Sequence, residues 1–288
     1  MEFWKMNGTG NDFIILDNRK EKLPPEAFPR LAGVLCERHL SLGADGLMIA
    51  DAPLAGGDLR MVFFNPDGTE GEMCGNGARC LCRYAYENGF SGETQKLETK
   101  AGFVSGKRIT ERDYQIALPL PSVLIPDLPL TVDGTAYPCA YAELGDPGIP
   151  HAVIPLEGLA GRTDEELRRL GRAIRYDPAF PKGANVNFYE LTGPDEILER
   201  TYERGVEDLT YACGTGTGSL AAVLTLKGII SGRHTAVRMR GGQLILDVGL
   251  KDGRVTSLLL TGTTNVVAKG VITDESLVNT CAAAGYPL

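Results

Sequence analysis

The alternation of hydrophobic and polar residues along this chain predicts a protein built mainly from β-strands. Successive side chains of a strand point to opposite faces, so a strand with one buried face shows a period of two. Alternating or β-branched runs of this kind occur at Phe13–Leu16, Leu47–Ala50, Leu59–Phe64, Tyr114–Leu118, Asn185–Tyr189, Thr235–Met239, Leu244–Val248, Val255–Leu260 and Val266–Val271.

Three segments depart from this period and predict helices. Ala78–Asn88 and Ser219–Lys227 are rich in small and apolar side chains, and each is followed by a glycine, Gly89 or Gly228, that predicts the end of the helix. Their composition is typical of a helix buried on most sides. The third segment, Glu165–Arg175, is highly charged and predicts a helix on the surface.

An internal repeat accompanies the two buried helices. Cys74–Gly77 reads Cys-Gly-Asn-Gly and Cys213–Gly216 reads Cys-Gly-Thr-Gly, and each follows an acidic, turn-rich loop and precedes a small-residue apolar run. Further landmarks recur in the same order, upstream at Gly8–Ile15 and Gly148–Ile154 and downstream at Lys100–Val104 and Arg240–Leu244. Four landmarks in one order indicate a duplication.

The repeat predicts an α/β (α+β) fold of two pseudo-symmetric halves. We expect each half to be a curved, mostly antiparallel sheet around one helix. The predicted boundaries place residues 1–120 and about 266–288 in the half that carries Cys74, and residues 121–265 in the half that carries Cys213. The proline-rich stretch Pro119–Pro129 is the expected junction.

Composition narrows the possible functions. The chain is 43% hydrophobic and 23% charged, as in an ordinary globular protein, and its net charge of −8 argues against a nucleic-acid or anionic-membrane surface. The first residues do not resemble a signal peptide. Seven cysteines, an odd number scattered over the chain, make a poor disulfide framework. We therefore expect a reducing cytoplasm, no membrane and no nucleic-acid partner.

A cysteine followed by glycines at the start of a helix has specific chemical consequences. The first backbone N–H groups of a helix have no partner within it and carry partial positive charge, which stabilises a thiolate and lowers the pKa of the thiol. Glycines let a ligand approach these donors, which suit a carboxylate. Two such loops could hold one carboxylate and place a sulfur on each face of the neighbouring carbon.

This arrangement suits the inversion of an α-carbon. One group must remove a proton from one face while another supplies a proton to the opposite face, and the two groups exchange roles with the direction of reaction. The N–H donors would stabilise the charge that develops on the carboxylate. The sequence therefore predicts Cys74 and Cys213 as a thiolate/thiol pair.

The remaining cysteines have simpler interpretations. A single buried cysteine usually acts as a small hydrophobic residue. Cys80 and Cys82 could join Cys74 in a metal site, but no second Cys/His cluster has the spacing of a zinc site. We interpret Cys80 and Cys82 as core residues and predict no metal. Cys36, Cys139 and Cys281 have no functional context.

The sequence resembles the diaminopimelate epimerase family almost from end to end. The residues that carry the resemblance are Lys5–Phe13, Leu42–Leu47, Phe64–Gly68, Glu72–Cys80, Pro150–Val153, Asn185–Phe188, Glu203–Glu207 and Ala212–Gly216. The resemblance implies two halves that are each a β-barrel around a central helix. It also implies a homodimer, and interconversion of LL- and meso-diaminopimelate for lysine and peptidoglycan synthesis without pyridoxal phosphate, metal or other cofactor.

The resemblance also implies a set of site residues. Cys74 and Cys213 correspond to the acid/base pair. The others are the carboxylate cradle Gly75, Asn76, Gly214 and Thr215, the substrate contacts Asn11, Asn65, Asn185, Glu203 and Arg204, and the auxiliary polar residues His151 and Glu203.

Two departures from the family pattern leave the substrate open. Ile149 stands where many members have an Asn that contacts the far end of the substrate, and Gly46 stands where some have Gln. One alternative is a racemase of the same fold for histidine or a lanthionine-like amino acid. The other is a binding module derived from such an enzyme, which predicts a degraded cysteine pair.

Overall fold

The computed structural model describes residues 1–273, Glu275 and Leu277, which form two compact units. The first unit contains Met1–Ile116 and the described residues from Gly262 onward, and the second contains Ala117–Thr261. Cys281 and most of the predicted C-terminal segment of the first half lie outside the described residues.

Eight strands and three helices of the first unit precede residue 118, and one further strand returns to it. The strands are β1 Glu2–Gly8, β2 Asn11–Asp17, β3 Gly46–Asp51, β4 Leu59–Phe64, β5 Glu70–Gly71, β6 Thr94–Thr99, β7 Gly102–Arg108 and β8 Asp113–Ala117. The helices are α1 Asn18–Glu21, α2 Phe28–Leu35 and α3 Gly75–Glu87.

The second unit repeats this succession of elements. Its strands are β9 Pro121–Ile125, β10 Leu130–Val132, β11 Thr135–Tyr137, β12 Ala140–Leu144, β13 Ile149–Pro155, β14 Asn185–Gly193, β15 Glu196–Glu203, β16 Asp208–Thr210, β17 Thr235–Met239, β18 Gly242–Lys251 and β19 Arg254–Val271, of which β19 continues into the first unit. Its helices are α4 Asp164–Arg175 and α5 Gly214–Leu226.

The strands of the first unit close into an eight-stranded barrel. Hydrogen-bonded neighbours follow the order β1, β2, β3, β4, β6, β7, β8 and β19, and β19 pairs again with β1. The registers of β2 with β3 and of β4 with β6 are parallel. Closure leaves this sheet without a free edge, which protects its backbone donors and acceptors.

The second unit has the same topology. From β12, the order β12, β13, β14, β15, β17, β18 and β19 repeats the order from β1 to β8, and its two parallel registers, β13 with β14 and β15 with β17, come at the corresponding steps. β9 pairs with β12 as β19 pairs with β1. The Leu118 N–H donates to the Leu258 carbonyl at 2.8 Å, and this hydrogen bond joins the segment before β9 to β19. The predicted fold of two pseudo-symmetric halves is confirmed.

Each sheet curves around one buried helix. α3 contacts the strands of the first unit and is buried continuously over Asn76–Ala85, while α5 contacts the strands of the second unit and is buried over Gly216–Leu224. Burial on all sides explains why the two helices show small and apolar residues rather than a single apolar stripe. No helix among the residues described is long and apolar enough to cross a membrane.

The boundaries of several elements differ from those that the pattern predicts. α3 and α5 begin at Gly75 and Gly214, several residues earlier than predicted, because their glycine-rich first turns are helical despite a low intrinsic propensity. The two strands predicted at residues 255–260 and 266–271 are one strand of 18 residues. Thr261–Asn265 resembles a turn in composition, yet its buried and less buried positions continue to alternate.

Candidate active site

Both predicted catalytic cysteines are the N-cap residues of the buried helices. Cys74 and Cys213 have extended backbones, with φ of −128° and −123°, and the helix begins at the next residue. The first helical hydrogen bonds are donated by the Ala78 and Thr217 N–H groups to the Cys74 and Cys213 carbonyls. The three N–H groups after each cysteine precede those bonds, so they are the donors that can bind an anion.

Glycine is required inside both first turns by the close approach of the barrel wall. A Cβ at Gly77 would overlap the Met48 side chain, and a Cβ at Gly216 would overlap Oδ1 of Asn187. The same added atom at Gly216 would lie 3.2 Å from Sγ of Cys213. The glycines therefore allow the wall to pack directly against the helix backbone beside each cysteine.

A chain of side-chain hydrogen bonds holds the residues beside Cys74. Nη2 of Arg79 donates to Oδ1 of Asn76 at 2.9 Å, Nδ2 of Asn76 donates to Oδ1 of Asn11 at 2.6 Å, and Nδ2 of Asn11 donates to Asp45 at 3.1 Å. A cation at one end and a carboxylate at the other fix the orientation of both amides. The structure thus brings together Asn11 and Asn76, two of the predicted substrate contacts.

Arg79 is a buried cation within the first unit. Its side chain is fully buried, and its guanidinium also donates to Oγ1 of Thr9 at 2.9 Å. No carboxylate among the described residues forms an ion pair with it, and burial lowers its pKa to about 10. The neighbouring groups that oppose this shift are thiols, including that of Cys74. The charge of Arg79 therefore favours an anion near the start of α3.

Asn65 lies apart from this hydrogen-bond chain. It follows β4 in a turn in which its amide donates to Oγ1 of Thr69 at 3.0 Å and its backbone N–H donates to the Thr69 carbonyl. The contacts of Asn65 therefore stabilise its own turn, and its predicted role in substrate binding stays a prediction.

The environment of Cys213 favours a thiol. Burial raises the pKa of Cys213 well above its ordinary value, and the nearby Glu203 carboxyl raises it further. The Gly216 N–H and the Thr215 hydroxyl, whose oxygen lies 3.7 Å from Sγ, offset these effects only in part. The expectation that a helix N-terminus lowers this pKa is wrong for Cys213, because loss of hydration outweighs the helix dipole.

His151 lies in the core of the second unit as a neutral side chain. It is fully buried, and burial and the charge of Arg204 lower its pKa to about 3. Nδ1 lies 3.3 Å from the amide nitrogen of Asn187, which can only donate, so the imidazole proton belongs on Nε2. Nε2 has no hydrogen-bond partner among the described residues. His151 is therefore a donor available to another group.

Glu203 and Arg204 come at the end of β15, next to Asn185. The Arg204 N–H donates to Oδ1 of Asn185 at 2.7 Å, and its guanidinium donates to the Lys182 carbonyl at 2.9 Å. Burial raises the pKa of Glu203. The structure thus places three predicted site residues in one cluster, with an exposed cation beside a half-buried acid.

Several polar residues near these groups were not predicted. Glu143 accepts hydrogen bonds from the Tyr141 hydroxyl at 2.6 Å and from Lys182 at 2.9 Å. Of the others, Asn187, Glu199 and Thr201 lie on the wall beneath α5, and Thr217 lies on α5 itself. Period-two alternation from Ile197 would have placed Glu199 and Thr201 on the inner face of β15, which is the signal that could have found them.

The other described cysteines are core residues. Cys36, Cys80, Cys82 and Cys139 are buried. Burial raises the pKa of each of these thiols, to about 12 for Cys36, Cys80 and Cys139. Within the described part of the chain, no group of three or more His, Cys, Asp or Glu side chains could hold a metal ion.

Comparison with known proteins identifies close relatives of this chain. The sequence profile of the diaminopimelate epimerase family matches residues 3–113 and 145–267. A diaminopimelate epimerase from Aquifex aeolicus is 38% identical over 288 residues, which cover 96% of this chain and 99% of that protein. Another, from Methanothrix thermoacetophila, is 35% identical over 285 residues, or 96% and 98% of the two chains.

Solved structures share the fold at lower identity. A probable proline racemase from Agrobacterium radiobacter superposes with a TM-score of 0.67 at 15% identity, over 94% of this chain and 92% of that one. At this identity the likeness concerns the fold alone. Together the comparisons confirm the family and the fold that the sequence predicts.

Proposed function

Because the chain belongs to the diaminopimelate epimerase family, we propose that it interconverts LL- and meso-diaminopimelate with Cys74 and Cys213 as the acid/base pair. The observation that carries the proposal is that the same arrangement of a cysteine at the start of a buried helix occurs in two units of the same topology. In each unit a cysteine caps a buried helix whose next three N–H groups are free of helical hydrogen bonds. A reaction that needs two acid/base groups accounts for the presence of both copies.

The proposed reaction removes the α-proton to one sulfur and returns a proton from the other. The electron pair left on carbon spreads into the α-carboxylate, where the N–H donors at Gly75, Asn76, Gly214 and Thr215 would stabilise the added charge. No external acid or base is needed, because the thiolate and the thiol exchange states in each turnover. The burial of Cys213 supports its role as the thiol.

The charged residues at the end of β15 are proposed to bind the far end of the substrate. Diaminopimelate carries a second ammonium and a second carboxylate, and Glu203 and Arg204 offer charges of opposite sign in adjacent positions. Asn185 fixes the Arg204 backbone, and Nε2 of His151 offers a further donor. The proposal thus assigns one set of residues to the reacting carbon and another to substrate selection.

A panel of substrates tests the proposed specificity. The alternative, a racemase for another amino acid such as histidine or a lanthionine-like diamino acid, is favoured by one observation, the apolar Ile149 at the start of β13. Incorporation of solvent deuterium at the α-carbon should be fastest with diaminopimelate among diaminopimelate, lysine, histidine and lanthionine. Faster exchange with another member would assign the chain to the alternative.

Two serine variants test the proposed mechanism. Cys74→Ser and Cys213→Ser replace a thiol by a much weaker acid, so we expect each to lose epimerisation by several orders of magnitude. Thermal unfolding of the variants controls for folding, and Cys36→Ser controls for a buried cysteine outside the site. Wild-type exchange in either catalytic-site variant would contradict the two-thiol mechanism.

Mild oxidation gives an independent prediction. If the sulfurs of Cys74 and Cys213 act on one carbon atom as proposed, they would come close enough to form a disulfide when the substrate is absent. We expect an oxidant to inactivate the enzyme with formation of a Cys74–Cys213 disulfide, and a thiol reductant to restore activity. Peptide mass mapping identifies the bond, and retention of full activity under oxidation would count against this proximity. An enzyme that needs both thiols free would stay active in the expected reducing cytoplasm.

A further inference from the structure

The wall beneath α5 carries a carboxyl group that the proposed reaction does not use. Glu199 lies on the inner face of β15, between Ile197 and Thr201, and is 1% exposed. Its Oε2 lies 2.6 Å from the Thr217 hydroxyl of α5. Its Oε1 is buried and has no hydrogen-bond partner among the described residues.

The first unit shows that the fold does not require a carboxyl at this place. In the first unit, Leu59 of β4 pairs with Leu97 of β6. In the second unit, Ile197 of β15 pairs with Val237 of β17, so Ile197 is the position equivalent to Leu59. Two residues further along, Met61 of the first unit corresponds to Glu199 of the second. By the same correspondence, four inner-face positions of the first unit are equivalent to four of the second. They are Phe13, Met48, Met61 and Phe63 in the first unit and, in the same order, His151, Asn187, Glu199 and Thr201 in the second.

Glu199 reaches the start of α5 through a single hydroxyl group. Oγ1 of Thr217 lies 2.6 Å from Oε2 of Glu199 and 2.9 Å from the Cys213 carbonyl. A hydroxyl has one hydrogen, and both neighbours are acceptors if Glu199 is ionised. The two contacts are satisfied together only when Glu199 is neutral and donates to Thr217, which then donates to the carbonyl. The geometry therefore selects the protonated acid.

The surroundings of Glu199 agree with a neutral side chain. A buried carboxylate is stable only when paired or fully hydrogen-bonded, and no cation among the described residues pairs with this one. Burial raises its pKa to about 8. The titratable or charged residues on the strands around it and before α5 include His151 on β13, Tyr189 and Glu190 on β14, Glu196, Arg200 and Glu203 on β15 itself, Asp208 on β16, Arg238 on β17 and Cys213 before α5.

We propose that Glu199 is a positioning residue for Cys213, which in its neutral form holds the Thr217 hydroxyl on the Cys213 carbonyl. The hydrogen bond fixes the backbone of the residue whose sulfur moves the substrate proton. Its catalytic consequence rests on the proposed function, whereas its effect on Cys213 does not.

The proposal has a consequence at alkaline pH. When Glu199 ionises, the Thr217 hydrogen turns toward the carboxylate, and the Cys213 carbonyl loses this donor. The new negative charge also opposes formation of the Cys213 thiolate. Both changes act against the reaction, so the wild-type enzyme loses activity as Glu199 loses its proton.

Infrared spectroscopy tests the protonation of Glu199 directly. The wild-type protein at neutral pH should show the C=O stretch of a buried carboxylic acid, and the Glu199→Gln variant should lack this band. The band should also disappear from the wild-type spectrum as the pH rises through the ionisation of Glu199. Absence of the band from the wild-type spectrum at neutral pH would overturn the proposal.

Alkylation of Cys213 tests the coupling without any substrate. Glu199→Gln keeps the size of the side chain and removes its ionisation, so at about pH 9 iodoacetamide should label the Cys213 peptide about three- to tenfold faster in the variant, as expected when a neighbouring charge shifts a pKa by up to about one unit. Ser219→Ala, which removes another buried hydroxyl of α5, is the matched control and should follow the wild-type profile. Superimposable profiles of wild type and Glu199→Gln would overturn the proposal.

Variants of Thr217 test the link itself. Thr217→Ser retains the hydroxyl and should preserve kcat and its pH profile, whereas Thr217→Val should lower kcat severalfold with KM little changed. Glu199→Gln should keep kcat at neutral pH within about twofold and lose the alkaline decline. Equal kcat values for Thr217→Val and wild type would contradict the link. If no diaminopimelate is turned over by the wild type, the proposed function fails, while the infrared and alkylation results still decide the role of Glu199.

Discussion

The polar and charged groups that lie near Cys74 differ in kind from those near Cys213. Arg79, a cation, lies behind Cys74, whereas Glu199 and Thr217 lie behind Cys213. Equivalent positions in a repeated fold thus provide unlike environments for the same side chain. The sequence could reveal the cysteines, because their spacing to glycine repeats, and period-two alternation could have placed Glu199 on the inner face of its strand. It could not reveal the contacts of Arg79 and Thr217, because these depend on how each helix packs against residues distant in sequence.

Replacement of Arg79 tests the hydrogen-bond chain beside Cys74. Arg79→Met fills a similar volume but removes the donors to Thr9 and Asn76, so the Asn76 amide can turn away from Asn11. We expect kcat to fall on the order of 10²-fold, as is usual when a positioning contact is lost. Deuterium exchange at the α-carbon measures the effect, and thermal unfolding checks the fold. An unchanged kcat would show that Asn76 needs no such support.

The neutral, buried His151 predicts an acid-sensitive fold. Its pKa is about 3 in the folded chain, against 6.5 ordinarily, so between these values the unfolded chain binds a proton that the folded chain does not. The contribution of His151 to the free energy of unfolding is fully present above pH 6.5 and is lost as the pH falls toward 3.

His151→Asn should therefore flatten the pH dependence of stability in this range. Urea unfolding across the range measures it, with the exposed His234→Asn as the control. Equal pH dependence in the wild type and the His151 variant would show that His151 does not supply this contribution.

At the scale of elements, the first turns of the two buried helices are determined by the side chains of the barrel wall that pack against them. The pattern predicted both helices and eight of the strands, because period and composition are local properties; these strands are β2, β3, β4, β8, β14, β17, β18 and β19. It did not predict that α3 and α5 begin immediately after their cysteines. Gly77 and Gly216 are poor helix formers in isolation, and only the barrel wall, through Met48 and Asn187, explains their place in a helix.

A methyl group at Gly216 should disturb this packing. Its Cβ would overlap the Asn187 amide, which is held by Thr201 and by the Ala152 carbonyl and cannot move freely. We expect Gly216→Ala to lower the free energy of unfolding by about 1–3 kcal/mol. Gly92→Ala, whose Cβ would meet nothing within 4 Å, is the control and should change stability little. Urea denaturation compares the two, and equal stabilities would refute the close approach.

At the scale of the whole molecule, one strand belongs to both units. β19 supplies the last strand of the second unit and, beyond Gly262, the strand that pairs with β1. Sequence patterns cannot reveal this closure, because Glu2 and Val271 become neighbours only through the fold. The repeat of the cysteine loops indicated two halves, but not the route by which the chain completes each one.

Truncation after Thr261 tests the dependence of the first unit on this strand. The shortened chain lacks the partner of β1, so we expect the amides of β1 and α3 to lose protection from hydrogen exchange. The amides of β14 and α5, whose unit is contiguous in sequence, should keep theirs. Exchange measured by mass spectrometry resolves the two units. Full protection of β1 in the truncated chain would contradict this dependence.

The closing strand also sets an order of assembly during synthesis. A ribosome synthesises every strand of the second unit, up to Thr261, before it makes residues 262–271 that complete the first. The half whose coding sequence is read first is thus the last able to finish folding, and its nascent β1 must wait for more than 250 residues before its partner emerges. Chaperone binding to the growing chain is therefore expected to concentrate on the Cys74 unit.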